Sequence, residues 1–362
     1  MTSKRRTSRR QFLAGVSAKE ALADALHGGA ESDLPPPAKR LLTHFSSRAM
    51  ACEFEVILNH RDAPIGAEPA LDALGLVEQL EDQLTVYRDH SEISQLNRTA
   101  SLRPVPVEAD LFDLLMLAQE VSRETHGAFD LTAGPLSKVW GFFRRSGGVP
   151  ATADLDAALS RVGFDLVALD PADRSVRFLA DGVELNLGAI GKGYALDRCA
   201  TLLKTRDVDH FLLHGGRSSL YAQGSRGDIV DSPSPGWPIA VRHPLRGKQR
   251  LGTITLQNQG LGTSGCGNQF FHHHGKRFGH ILDPRSGAPA EQAVAVTVVA
   301  PTGALADALS TAFYVLGVDE AAAYCDCHPE VNCLFVTIGE RENSIDVTEI
   351  GLNSDCWVPT TD

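Results

Sequence analysis

Lys192 stands in a run of glycines, with Gly188, Gly191 and Gly193 around it, directly after the apolar stretch 183–187. Read as a strand that breaks into a turn, with a helix beginning near Tyr194, such a run lets backbone N–H groups approach a ligand with no Cβ in the way. A helix N-terminus favours anions, and the lysine adds a mobile positive charge. A phosphate suits both. The run is neither G-x-x-x-x-G-K-[ST] nor G-x-G-x-x-G, so tight packing is an equal explanation of its glycines until other residues join it.

Asp307 and Thr311 lie four residues apart in a helical pattern, which puts both side-chain oxygens on one face. One carboxylate and one hydroxyl, helped by backbone carbonyls, suit a hard cation such as Mg²⁺ that keeps few protein ligands and takes substrate phosphate. A buried Asp–Thr hydrogen bond is the alternative. His280 precedes the turn sequence Asp283, Pro284, Arg285, Ser286, Gly287. A histidine there either orients a ligand, serves as a base or is structural. In the segment 127–136, Ala128, Phe129 and Asp130 offer an apolar slot with a single carboxylate. It fits an adenine or another ring system, or else a buried loop that Asp130 caps.

Two further constellations point away from metal chemistry. His272, His273 and His274 are consecutive, and alternate strand residues face opposite sides. They cannot all converge, and a solvated hairpin tip is expected. Cys325, Cys327 and His328, with Cys333 nearby, lack the paired spacing of a zinc knuckle. Free thiols beside a helix end are expected instead.

A chain of 362 residues has room for a sizeable core around these groups. Its net charge of −11 (34 basic against 45 acidic residues) argues against non-specific binding to nucleic acid or to anionic membrane. Seven irregularly spaced cysteines do not suggest a disulfide framework. Near the start, Arg9 and Arg10 lie in a twin-arginine pattern with Gln11, Phe12 and Leu13, yet Lys19 and Glu20 cut short the apolar region an export signal needs. Residues 1–40 are therefore expected to be a disordered tail with a degenerate twin-arginine motif, leaving the compartment open between cytoplasm and periplasm. No apolar run is long enough for a transmembrane segment.

Periodicity supplies the frame. Strands are expected over 42–59, 209–214, 218–223, 238–243, 251–257, 269–274 with 277–282, and 292–299, with a last pair near the end. A strand hairpin over 164–187 turns at 171–173. Helices are expected over 68–86, 108–126, 152–162, 194–207, 303–316 and 318–326, and Ser91 with Ser94 reads as a helix start. The loop at 231–236 is the clearest internal break. Without strict β-α-β alternation, this mixture predicts an α+β fold.

Six collinear blocks together resemble the FAD:protein FMN transferase (ApbE) family over roughly residues 44–340. They are Ala49 with Met50, the segments 84–87 and 91–97, the segment 127–136, the run 187–195, the segment 280–287 and the segment 306–311. The resemblance implies a fold of T-fold-type mixed or antiparallel sheets flanked by helices, with residues 41–362 as one transferase domain. It implies transfer of the FMN part of FAD onto a Thr or Ser hydroxyl of an acceptor protein, releasing AMP, with Mg²⁺ as cofactor and FAD as substrate. FAD contacts carry over to Met50, Tyr87, Ala128, Phe129, Asp130, Asn186, Lys192 and Ile281. Metal ligands carry over to the backbone carbonyls of Ala189 and Ala304 and the side chains of Asp307 and Thr311. Lys192 and Asp307 serve the pyrophosphate, and His280 is the candidate base. Asn186 stands where the family usually has Asp, Ala51 and Cys52 replace Gly-Thr, Gly191 replaces Ala, and the 266–269 stretch lacks the usual charged residues. The alternatives are a Mg²⁺-dependent FAD pyrophosphatase and a flavin-binding protein without turnover.

Overall fold

The computed structural model of the chain describes residues 42–59, 62–226, 236–265, 267, 269–341 and 344–360. The tail expected over 1–40 and nearly all of the loop at 231–236 lie outside them. The described chain begins with a hairpin, β1 (Leu42–Ala49) and β2 (Cys52–Asn59), and continues through α1 (Ala63–Leu84), α2 (Glu92–Thr99), β3 (Val105–Pro106) and α3 (Ala109–Glu124). Two short helices follow, α4 (Gly134–Val139) and α5 (Thr152–Leu159), then the hairpin β4 (Val167–Asp170) and β5 (Ser175–Phe178). Helix α6 (Gly191–Thr205) leads to β6 (Phe211–Gly215), β7 (Ser219–Gln223), β8 (Trp237–Arg242), β9 (Arg250–Leu256) and β10 (Gln259–Gly265). The hairpin β11 (Phe270–His273) and β12 (Lys276–Gly279) precedes β13 (Ala295–Ala300), α7 (Gly303–Leu316) and α8 (Val318–Cys327). The last strands are β14 (Asn332–Ile338), β15 (Ile345–Ile350) and β16 (Trp357–Pro359).

Eight strands form one sheet in the order β1-β2-β6-β7-β10-β13-β14-β15, antiparallel at every pairing. Alternation along each strand divides its two faces. Phe54, Val56 and Leu58 join a core with apolar residues of α1, α6 and α7. Ile57, Leu212, Leu261 and Leu334 face the other way, onto Trp237, Ile254 and Trp357 of the small sheet β16-β9-β8. The fold is α+β, as the pattern of elements predicts.

Strand β10 is the largest departure from the sequence expectation, which left it unassigned. Its glycines read as loop, because Gly weakens a strand interior and packs nothing. The structure uses that emptiness. A Cβ on Gly262 would fall 2.5 Å from the carbonyl carbon of Ala306 and 2.7 Å from the Asp307 nitrogen. One on Gly260 would fall 2.5 Å from the Thr302 carbonyl carbon. Helix α7 thus lies directly on the strand backbone, with no side chain between. Similarly, a Cβ on Gly193 would fall 2.7 Å from the Ala304 nitrogen, so the first turn of α6 abuts the first turn of α7. Since the obstructing atoms are backbone on both sides, Gly262→Ala is expected to cost about 1–3 kcal/mol by overpacking. A chemical-denaturation midpoint checks this; an unchanged midpoint would show that the helix is not seated this tightly.

Other boundaries shift for local reasons. The strand expected over 42–59 is two strands, joined by a turn in which Met50 and Ala51 take left-handed φ values of 48° and 60°. The hairpin expected over 164–187 holds strands only at 167–170 and 175–178. The helix expected from 194 begins at Gly191, which brings Lys192 into its first turn. The helix start at Ser91 is present, with the Ser91 hydroxyl accepting the Ser94 N–H at 3.0 Å. The three histidines form an exposed hairpin tip. Cys325 and Cys333 are buried with their sulfurs 4.0 Å apart, while Cys327 is exposed. Among the described residues no helix is long and apolar enough to cross a membrane.

Candidate active site

Where the N-termini of α6 and α7 meet, the chain encloses a cavity of about 380 Å³. Two carboxylates hold the junction together. Asp307, in the second turn of α7, accepts the Gly193 N–H on Oδ2 at 2.7 Å and the Ser219 hydroxyl on the same atom at 3.0 Å. Asp197 of α6 accepts the Gly303 N–H at 2.7 Å and the Ala304 N–H at 2.8 Å. Each helix therefore has free N–H groups of its first turn bound by an acid from the other, which satisfies donors that lack an intrahelical partner. Burial raises both carboxyls, Asp307 to about 6 and Asp197 to about 7. Lys192 opposes the shift on Asp307, and Asp307 adds to that on Asp197.

Lys192 donates from Nζ to the Ser218 hydroxyl and, at 3.0 Å, to the Ser219 hydroxyl. Ser219 links the lysine to Asp307 in one chain of bonds. Thr311 donates to the Asp307 carbonyl at 3.3 Å and lies 3.1 Å from the Ser264 hydroxyl, which also meets Ser310 at 2.9 Å. Asp197, Ser219 and Ser264 escaped the sequence reading. Serine hydroxyls carry no periodic signal, and Asp197 shows a role only once α7 is placed against it.

Ala189, Asp307 and Thr311 share the cavity wall. The Oδ2 oxygen of Asp307 is committed, whereas no hydrogen bond from a described residue reaches Oδ1. That oxygen and the Thr311 hydroxyl, on residues that line the cavity together with Ala189, could serve a cation as oxygen donors with one carboxylate among them. Among the described residues there is no cluster of three or more His, Cys, Asp or Glu side chains suited to a metal. A soft or tightly caged metal has no donors here, while a hard cation sharing its shell with phosphate and water does. Ala304 lies one turn before Asp307, off the cavity wall, with its N–H bound to Asp197.

The segment after α3 contributes to the same cavity. Ala128, Phe129 and Asp130 line the cavity. Asp130 also ties its own loop, accepting the Thr132 N–H at 2.8 Å and the Thr132 hydroxyl at 2.6 Å, and burial raises its carboxyl. The reading of a buried loop that Asp130 caps thus holds, and the same segment borders the cavity. Asn186 lines the cavity and accepts the Gly188 N–H on Oδ1 at 2.9 Å. That bond requires only an acceptor, which Asn supplies as well as Asp would. Tyr87, 69% exposed, stacks on Phe143 at the rim with centroids 4.8 Å apart. Met50 sits in its turn, partly buried against the core and off the cavity wall.

His280 and Ile281 complete the cavity just before the turn at 283–287. In that turn Gly287 takes φ 71°, and its carbonyl accepts the Trp140 indole N–H at 2.8 Å. The His280 ring lies 3.1 Å through Nδ1 from the Gln269 carbonyl. A carbonyl only accepts, so Nδ1 carries the proton and Nε2 keeps its lone pair. Burial lowers the histidine below its ordinary 6.5, which keeps the ring neutral at pH 7.

The profile of the ApbE family matches residues 50–335. The chain is 34% identical over 264 residues to an FAD:protein FMN transferase of Klebsiella pneumoniae, covering 72% of this chain and 80% of that protein. It is 32% identical over 246 residues to one of Salmonella typhimurium, covering 66% and 68%. Among solved structures it resembles the ApbE protein of Thermotoga maritima with a TM-score of 0.75 at 26% identity, over 85% of this chain and 97% of that one. It also resembles the flavinyl transferase ApbE of Pseudomonas stutzeri, with a TM-score of 0.74 at 28% identity over 85% and 94%.

Proposed function

This chain belongs to the ApbE family, and on that premise we propose that it transfers the FMN part of FAD onto a Thr or Ser hydroxyl of an acceptor protein, releasing AMP. The observation that carries this reading is one cavity wall shared by Lys192, Asp307, Thr311 and His280. These are an anion-binding cation, an oxygen donor set and a neutral base, which is what cleavage of a pyrophosphate by a hydroxyl requires.

Lys192, at the N-terminal turn of α6, binds the pyrophosphate through its charge and the partial positive charge of the helix end. Asp307, Thr311 and the Ala189 carbonyl, the ligand set we favour, would hold Mg²⁺, which would supply charge to neutralise the developing phosphate. His280 accepts the acceptor's hydroxyl proton at Nε2. The hydroxyl oxygen then bonds to the phosphorus of the FMN part while the bond from that phosphorus to the bridging oxygen breaks. The electron pair leaves on the bridging oxygen with AMP. Tyr87, Asn186 and the 128–130 segment border the volume in which the flavin and adenine rings are held.

Incubation with FAD, Mg²⁺ and a pool of twelve-residue peptides carrying a central Thr tests the reading by mass spectrometry. The expected result is an FMN adduct on the Thr with one AMP released per adduct. Free FMN and AMP without adduct would make the protein a pyrophosphatase, and FAD retained without AMP would make it a binding protein.

A further inference from the structure

A second cavity, of about 450 Å³, adjoins the first and shares only Gln269 and His280 with it. Building on the transfer reading, we propose that this second cavity is the acceptor's access cleft, receiving an extended Ser- or Thr-bearing segment whose hydroxyl reaches the flavin cavity past His280. His280 stands where the two cavities meet. Its Nδ1 is held by the Gln269 carbonyl, and the Gln269 side-chain amide in turn donates to the Phe142 carbonyl at 2.9 Å. The imidazole is thus a fixed partition between two volumes, with its basic nitrogen uncommitted.

A displacement at phosphorus brings nucleophile and leaving group in on opposite sides. With FAD occupying the first cavity, an acceptor hydroxyl has to arrive from elsewhere and meet the base on the way. Of the two cavities that His280 lines, the second contains none of the groups assigned to FAD or to the metal.

The walls of this cleft suit a peptide. Its floor is aromatic, with Phe142 and Phe271 rings 5.6 Å apart and continuous with Trp140 and Phe278. Phe270, 45% exposed, stands at its rim beneath the Arg277 guanidinium, 3.9 Å from the ring centroid. Arg145 is the charged side chain among the residues lining this cleft, and its N–H donors match backbone carbonyls of an extended segment. An extended segment can present a side-chain hydroxyl to His280 while its backbone carbonyls stay open to Arg145.

Ser146 lines the cleft, is exposed and touches none of the groups assigned to FAD. Ser146→Trp should fill the cleft and raise the KM for the Thr-peptide pool at least about tenfold, a loss of peptide binding alone. The Kd for FAD, read from flavin fluorescence, should stay within twofold. Arg145→Ala should raise the same KM about threefold to tenfold through a lost charged hydrogen bond. A peptide KM within twofold of wild type in both variants would overturn the cleft, provided wild type forms the adduct. Failure of wild type to flavinylate any peptide while binding FAD overturns the transfer reading and the cleft with it.

Discussion

Replacing Asp307 with Asn should lower FMN transfer on the order of 10³-fold, the scale of several kcal/mol that a Lewis-acidic cation contributes to phosphoryl chemistry. Asn keeps an acceptor for the Gly193 N–H and so leaves the helix junction in place, which separates loss of the cation site from loss of the fold. A transfer rate within tenfold of wild type in this variant would sink the metal assignment. Stability gives a second readout, free of activity. Burial raises the Asp307 carboxyl from 3.8 to about 6. The folded state therefore binds this proton more tightly than the unfolded chain. That contribution is fully present below pH 3.8 and is lost as pH rises through about 6. Without divalent cation, Asp307→Asn should consequently melt above wild type at pH 8, and the gap should close toward pH 4.

Loss of the His280 ring should be nearly as severe. His280→Ala is expected to reduce transfer by about 10²–10⁴-fold, the range of general base catalysis. The sign of its pH dependence follows from the environment. Because burial lowers the imidazole, the basic form prevails down to below pH 6.5, and wild-type transfer at saturating Mg²⁺ should fall only on the acid side of that value. In His280→Ala the acid limb should vanish along with the rate. An alanine variant that keeps both the rate and the limb would assign the proton transfer to another group. The FAD Kd measured in parallel should barely move, since His280 acts on the acceptor's proton.

Much of the site was legible because its chemistry lies in short local patterns. The glycine run around Lys192 suggested a phosphate or tight packing, the Asp307–Thr311 pair a hard cation or a buried hydrogen bond, and the His280 turn a ligand contact, a base or a structural role. The structure brings all three to one cavity. Helices with a clean apolar period, such as α7 at Gly303–Leu316, matched to the residue. What escaped depends on neighbours distant in sequence. Gly260 and Gly262 look like a loop until Thr302 and Ala306 are seen against them. Likewise, Asp197 looks like any acid on a helix until the N–H groups of Gly303 and Ala304 are found bound to it. The second cavity combines a loop at 141–147 with a hairpin more than a hundred residues later, and no window along the chain contains both.

The crossed carboxylates of α6 and α7 bear on how the site can breathe. Sliding either helix by one turn would strand N–H donors at both ends and leave two buried acids unmatched. The absence of side chains between α7 and β10 removes the soft layer along which helices usually shear. This half of the cavity is therefore the anvil of the site, and substrate traffic falls to the opposite rim. There Tyr87 leans on Phe143 in the solvent, and the pair can part at the cost of one exposed ring contact. Amide exchange should be slowest across the helix junction and fastest along that rim, making nucleotide release a motion of side chains rather than of the fold.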